Sequence, residues 1–132
     1  MNKTTCKDFL NLINEKVNET SYNKPVALVF RPKGGWQYEV NCAVTSVLDD
    51  DIIWISNGFG TRDKHPMKLQ DIIIKLNICK EEQEVAFEIY GWNGQSNEQI
   101  ICRSLELSDI TVEEIGDCIY FILFIDTIGS VE

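Results

Sequence analysis

The stretch CKDFLNLINEKV, residues 6–17, spaces Cys6, Phe9, Leu10, Ile13 and Val17 at relative positions 0, 3, 4, 7 and 11. That spacing gathers apolar side chains on one face of a helix with 3.6 residues per turn. Thr4 or Thr5 stands ahead of it as a cap, able to accept one of the unpaired N–H groups of the first turn. The same stripe returns at Leu69, Ile72, Ile73 and Leu76, 63 positions later, with Asp8 falling on Asp71. Pro66 suits the entry to this second helix, where its missing N–H costs nothing. The recurrence decides the fold reading, because the segments that follow each helix can then be matched.

After the first helix, Asn18 to Pro25 is polar, and Pro25 ends any helical run. Val26 to Phe30 reads as a short apolar strand. Gly34 and Gly35 supply the turn beyond it, since glycine takes positive φ without strain. Trp36, Tyr38, Val40, Cys42 and Val44 alternate with Gln37, Glu39 and Asn41 as a second strand. Asp49-Asp50-Asp51 makes a turn and Ile52 to Ile55 a third strand. Beyond the second helix, strands are expected at Val85–Tyr90, Ile100–Leu107 and Ile119–Ile125, with a turn at Trp92-Asn93-Gly94-Gln95. Val26-Ala27-Leu28 aligns with Val85-Ala86-Phe87 at an offset of 59, Cys42 with Cys102 at 60 and Ile52 with Ile119 at 67. The expectation is an α+β fold of two helix-strand-strand-strand units, residues 1–60 and 66–126, arising by internal duplication within one compact domain, 1–132. Short turns between consecutive strands imply a mainly antiparallel sheet with the helices packed on it. Either one six-stranded sheet or two pseudo-symmetric sheets would satisfy the pattern.

The chain has 132 residues, 44% of them hydrophobic, enough for a core without metal or disulfide staples. Its net charge of −9 is unevenly placed: residues 1–66 carry eight basic and eight acidic side chains, residues 67–132 four basic and thirteen acidic. Direct nucleic-acid binding is not expected, because phosphate contacts need concentrated positive charge. The acidic second half instead suits a basic protein partner. Five cysteines, Cys6, Cys42, Cys79, Cys102 and Cys118, form no CxxC or Cys/His cluster, so no metal site and no cofactor is expected. The N-terminal residues lack an apolar signal core, and the longest apolar run, Ile119–Ile125, is far too short to span a membrane. A cytoplasmic protein with reduced thiols follows, with no membrane association.

Few residues point to chemistry. Arg62, Lys64 and His65 gather between Gly58 and the second helix, where a phosphate or carboxylate could be held. The segment lacks the third glycine and the Lys-Ser/Thr of specific phosphate motifs. His65 is the only histidine and has no cysteine close in sequence, so no catalytic residues are assigned. Trp36 and Trp92 sit at matching places beside turns, as interface anchors do. Glu113 and Glu114 are surface carboxylates of the acidic half. The apolar Ile119–Ile125 shows no alternation and should be covered on both faces as a central strand. Its alternative is a strand that pairs across a homodimer or receives a partner.

No stretch carries a family motif. The opening, a capped helix followed by Pro-Val-Ala-Leu-Val-Phe, has the general form of small bacterial or phage accessory proteins and transfers no functional residue. The expected role is a non-enzymatic protein-interaction or accessory module presenting an acidic second half. The alternative is a small anionic-ligand binder using residues 58–65; an enzyme and an acidic nucleic-acid mimic rank below both.

Overall fold

The first helix forms where the apolar spacing places it. α1 runs Cys6–Lys16, and Thr5 caps it: its hydroxyl accepts from the Asp8 N–H while the Asp8 carboxylate accepts from the Thr5 N–H. The computed structural model describes residues 3–33, 40–58, 65–90 and 99–125. A one-turn 3₁₀ segment at Glu19–Ser21 leads to β1 (Val26–Pro32), β2 (Val40–Ala43), β3 (Ser46–Asp49) and β4 (Ile53–Ser56). Then come α2 (Leu69–Ile78), β5 (Val85–Tyr90), β6 (Gln99–Cys102), a 3₁₀ turn at Leu107–Asp109, β7 (Ile110–Ile115) and β8 (Cys118–Ile125). The fold is α+β, with two helices and eight strands among the described residues.

The strands form two four-stranded sheets, ordered β2-β1-β8-β7 and β3-β4-β5-β6. Pairing is antiparallel except at the centre of each sheet, where β1 lies parallel to β8 and β4 parallel to β5. Each sheet therefore joins one strand pair from before α2 to one from after it. Neither half closes a sheet alone.

Two strands, β3 and β7, lie outside the sequence expectation, which gave three strands to each unit. The expected second strand, residues 36–44, stops at Ala43. The Val44 N–H donates to Val26 O in the first sheet, and the next residue, Thr45, donates to Ser56 O in the second. A strand cannot continue through a point where adjacent amides belong to different sheets. The expected strand 100–107 likewise ends at Cys102, followed by Ser104 at φ 56. β7 itself has only Ile110 and Val112 pointing into the core, too short an alternation to mark a strand.

The two halves bond to each other in matching fashion. At the α1 N-terminus Cys6 N–H donates to Gln83 O and Lys7 N–H to Glu81 O; at α2, Leu69 N–H donates to Lys24 O and Gln70 N–H to Tyr22 O. These acceptors satisfy donors that a helix leaves open, and they explain how α2 starts on Lys68 without a side-chain cap. Val85 N–H to Thr4 O answers Val26 N–H to Met67 O, and Ile53 N–H to Glu84 O answers Ile119 N–H to Pro25 O. The helix offset of 63 and the strand offset of 59 carry Cys6 N–H···Gln83 O and Leu69 N–H···Lys24 O onto each other with the halves exchanged.

The core lies between the inner faces of both sheets and the two helices, and Phe9, Leu28, Phe87 and Phe121 are fully buried in it. The Phe9 ring meets Phe87 of the second sheet at 5.6 Å and Phe121 of the first at 5.0 Å, both edge-on. One side chain thus ties α1 to both sheets. Phe9→Ala is expected to destabilise the protein by about 4 kcal/mol, read as a lower denaturant midpoint. Because the halves share sheets, loss should occur in one transition followed equally by tryptophan fluorescence and far-UV circular dichroism.

Candidate functional site

The apolar strand β8 is central, flanked by β1 and β7, as its unbroken hydrophobic sequence requires. Its neighbour β7 is a sheet edge and carries Glu113 and Glu114. Which of its backbone groups face outward follows from the ladders. Ile119 N–H donates to Pro25 O, so Ile119 and alternate residues of β8 face β1. Cys118, Tyr120 and Ile122 then face β7, where they oppose Ile115, Glu113 and Thr111. The backbone groups of Ile110, Val112 and Glu114 point away from the sheet. The Ile110 N–H turns back to Leu107 O. Among the described residues nothing pairs with the N–H and C=O of Val112 and Glu114 or with the C=O of Ile110, but Ile110 and Val112 are buried, so the edge is open at Glu114. At six residues β7 is the longest of the four edge strands as described; β2, β3 and β6 have four each.

Side chains alternate along this edge. Thr111, Glu113 and Ile115 project to the outer face of the sheet beside Ile122, Tyr120 and Cys118, and Ile115 is 57% exposed. Glu114 points the other way, where it accepts from the Ser21 hydroxyl at 2.8 Å and from Lys24 Nζ. Lys24 also donates to Gly116 O at 2.9 Å, at the two-residue turn between β7 and β8. Gly116 takes φ +60 there, open to glycine without strain. The second sheet has a counterpart with an uncharged donor: Gln83 Nε2 donates to Asp49 Oδ1 at 2.9 Å and to Asp50 O at 2.7 Å. Each clamp ties the segment ahead of a central strand to the hairpin of an edge strand. Among the described residues Glu113 has no such partner, and it is exposed.

A groove of about 740 Å³ adjoins the start of β7, lined by Lys3, Thr5, Asp8, Glu82, Glu84, Glu106, Leu107 and Ser108. Four carboxylates face one ammonium in it. Glu84 is buried and is held by the Ser104 N–H and by Lys3 Nζ at 3.6 Å, so it fixes the left-handed turn at Ser104. Asp109, just ahead of β7, pairs with Lys33 at 3.2 Å.

Of the sequence candidates, Arg62, Lys64, Trp36 and Trp92 lie outside the described residues. His65 is exposed. The structure places Glu113 and Glu114 side by side on one strand but sends them to opposite faces. The Asp49-Asp50-Asp51 turn joins β3 to β4, and Asp49 serves the Gln83 clamp there. Sequence reasoning missed Lys24, Gln83, Val112 and Ile115; only Ile115, an isoleucine between carboxylates and a Gly-Asp turn, left a local signal. Among the described residues no group of three or more His, Cys, Asp or Glu is placed to hold a metal. No described helix is long and apolar enough to cross a membrane.

Burial pushes the Cys42 and Cys102 thiols up to about 12. At pH 8 alkylation with iodoacetamide should therefore leave Cys102 unmodified in the native protein and modify it on unfolding. Hydrogen bonds from Lys24 and Ser21 hold Glu114 below its ordinary value of 4.5. A depressed carboxyl contributes stability that is complete above the ordinary value and lost as pH falls through the lowered one. Glu114→Gln should accordingly lower the urea midpoint at pH 7 and converge with the native protein under strongly acidic conditions. No family model, curated protein or solved structure matches the chain.

Proposed function

We propose that this protein is a non-enzymatic interaction module that takes up an extended, basic segment of a protein partner along β7. The observation that carries the reading is the outward edge of β7 at Glu114, exposed and with its backbone groups unpaired among the described residues, set among the carboxylates of Glu113, Glu106 and Asp117. A strand added to a sheet edge gains main-chain hydrogen bonds whatever its sequence, and alternate side chains supply specificity. Here a residue opposite Glu113, on the outer face, should be Lys or Arg, and one opposite Val112, on the inner face, should be apolar. A segment continuing past Ile110 would meet the acidic groove at Ser108 and Glu106. Self-pairing is disfavoured at this edge, because an antiparallel β7–β7 contact brings the glutamates of both copies together, and like charges across strands repel. That argument sets the basic partner ahead of a homodimer through β7.

The matched inter-half hydrogen bonds support an internal duplication in which each ancestral unit had one helix and four strands. Strand pairs were then exchanged between the copies. On this reading Asp49 corresponds to Glu114 and Leu48 to Glu113, so the acidic edge arose in only one copy. The absence of disulfides among Cys6, Cys42, Cys79, Cys102 and Cys118 fits a reducing compartment, and we place the protein in the cytoplasm.

A nine-residue peptide alternating Lys and Val is the probe. It should bind with an affinity that falls with added salt. A copy N-methylated at alternate backbone amides should not bind, because it cannot complete the ladder. Glu113→Lys should weaken the unmethylated peptide by roughly tenfold or more. Equal binding of both peptides, or no effect of Glu113→Lys, would place recognition elsewhere.

A further inference from the structure

The Cys6 thiol opens α1, is 1% exposed, and donates to Leu76 O at 3.2 Å near the end of α2. Cys79 follows α2 as its C-terminal cap, and its N–H donates to the same Leu76 O at 3.1 Å. The Cys79 sulfur lies 3.3 Å from Lys75 O, the adjacent carbonyl of that turn. Both cysteines line one cavity of about 410 Å³ between the helices, together with Leu10, Tyr22, Ile73 and Leu76. Neither is in a disulfide. Two sulfurs held on neighbouring carbonyls of a single helix turn, one sealed and one half-exposed, form a pair rather than two isolated thiols.

We propose that Cys6 and Cys79 are a modification site: under peroxide they form a disulfide that staples the start of α1 to the end of α2. The half-exposed sulfur reacts first. The Cys79 thiolate attacks a peroxide oxygen, an S–O bond forms, the O–O bond breaks, and the departing hydroxide takes a proton to become water. Cys6, its proton passed to solvent, then attacks the Cys79 sulfur. The S–S bond forms, the S–O bond breaks, and a second hydroxide leaves as water. Two thiols are oxidised by two electrons and one peroxide is reduced to two waters.

The charged groups around the pair set the rate. Burial disfavours ionisation of Cys79 most, Asp49 at the end of β3 opposes it further, and Lys75 favours it. Burial first, then Cys79, Asp49 and Glu81, push the Cys6 thiol up to about 11. Lys7 also lines the cavity. With both thiols raised, closure should be slow at neutral pH and quicken as pH rises toward 10. This inference is independent of β7, which lies in the other sheet from the Asp49 turn.

The test treats the native 132-residue chain with hydrogen peroxide at pH 8, quenches free thiols by alkylation, and maps peptides without reduction. The expected product is a Cys6–Cys79 linked peptide, two hydrogens lighter than its parts, formed at a rate independent of protein concentration and reversed by dithiothreitol. The oxidised protein should melt higher by roughly 10 °C, since the bridge closes a long loop. Cys79→Ser, confirmed folded by circular dichroism, should abolish the linked peptide. The proposal is overturned if Cys79 stops at a sulfenic acid trapped by dimedone with Cys6 still reduced. A linkage involving Cys118 or a second chain would overturn it as well.

Discussion

The rest of the structure depends on a reciprocal arrangement of backbone hydrogen bonds between the halves. Cys6 and Lys7 place the first donors of α1 on carbonyls at Gln83 and Glu81, while Leu69 and Gln70 place those of α2 on Lys24 and Tyr22. Buried backbone donors must find partners, so neither helix can start properly until the other half is in place. The same exchange runs through the sheets, where β1 needs β8 and β4 needs β5 as parallel neighbours. Phe9 sits where these requirements meet, packed on rings from both sheets. Folding of one half without the other would leave unpaired strand edges and open helix termini together.

This interlocking also determines which edges remain. Two four-stranded sheets leave four edge strands, and the clamps on Glu114 and Asp49 hold two of them, β7 and β3, against the segments ahead of β1 and β5. The clamps are built alike but differ in charge. Lys24 neutralises Glu114 on the inner side, leaving Glu113 as the exposed charge of the outer face, whereas β3 presents Leu48 at the matching place, 57% exposed. An open edge is a hazard for self-association, and acidic side chains are one way of managing it. On β7 the same carboxylates that discourage a second copy would favour a basic strand.

Much of the fold was legible locally. The helical stripes at residues 6–17 and 69–76 depend on spacing alone, and the unbroken apolar run of β8 announced a central strand, although Cys118, Tyr120 and Phe124 on its outer face are only half-buried. β3 and β7 were not legible, because each is defined by a change of sheet at Val44–Thr45 or by the turn at Ser104 rather than by its own pattern. Leu12 was missed on α1 because the face that buries it includes both sheets, wider than a single stripe. The site was half legible: Glu113 and Glu114 stood out as acidic, but their opposite orientations follow from the β8 register. The Lys24 and Glu114 contact joins residues 90 positions apart and is set by tertiary structure.

The most direct measurement is residue-resolved amide hydrogen exchange with and without the alternating Lys–Val peptide. Thr111, Glu113 and Ile115 already bond to β8, so their exchange should be slow in both states. The Glu114 amide faces outward on an exposed residue, and saturating peptide should slow it by tenfold or more as it donates to the added strand. Unchanged exchange at the Glu114 amide while the peptide is bound would contradict the account.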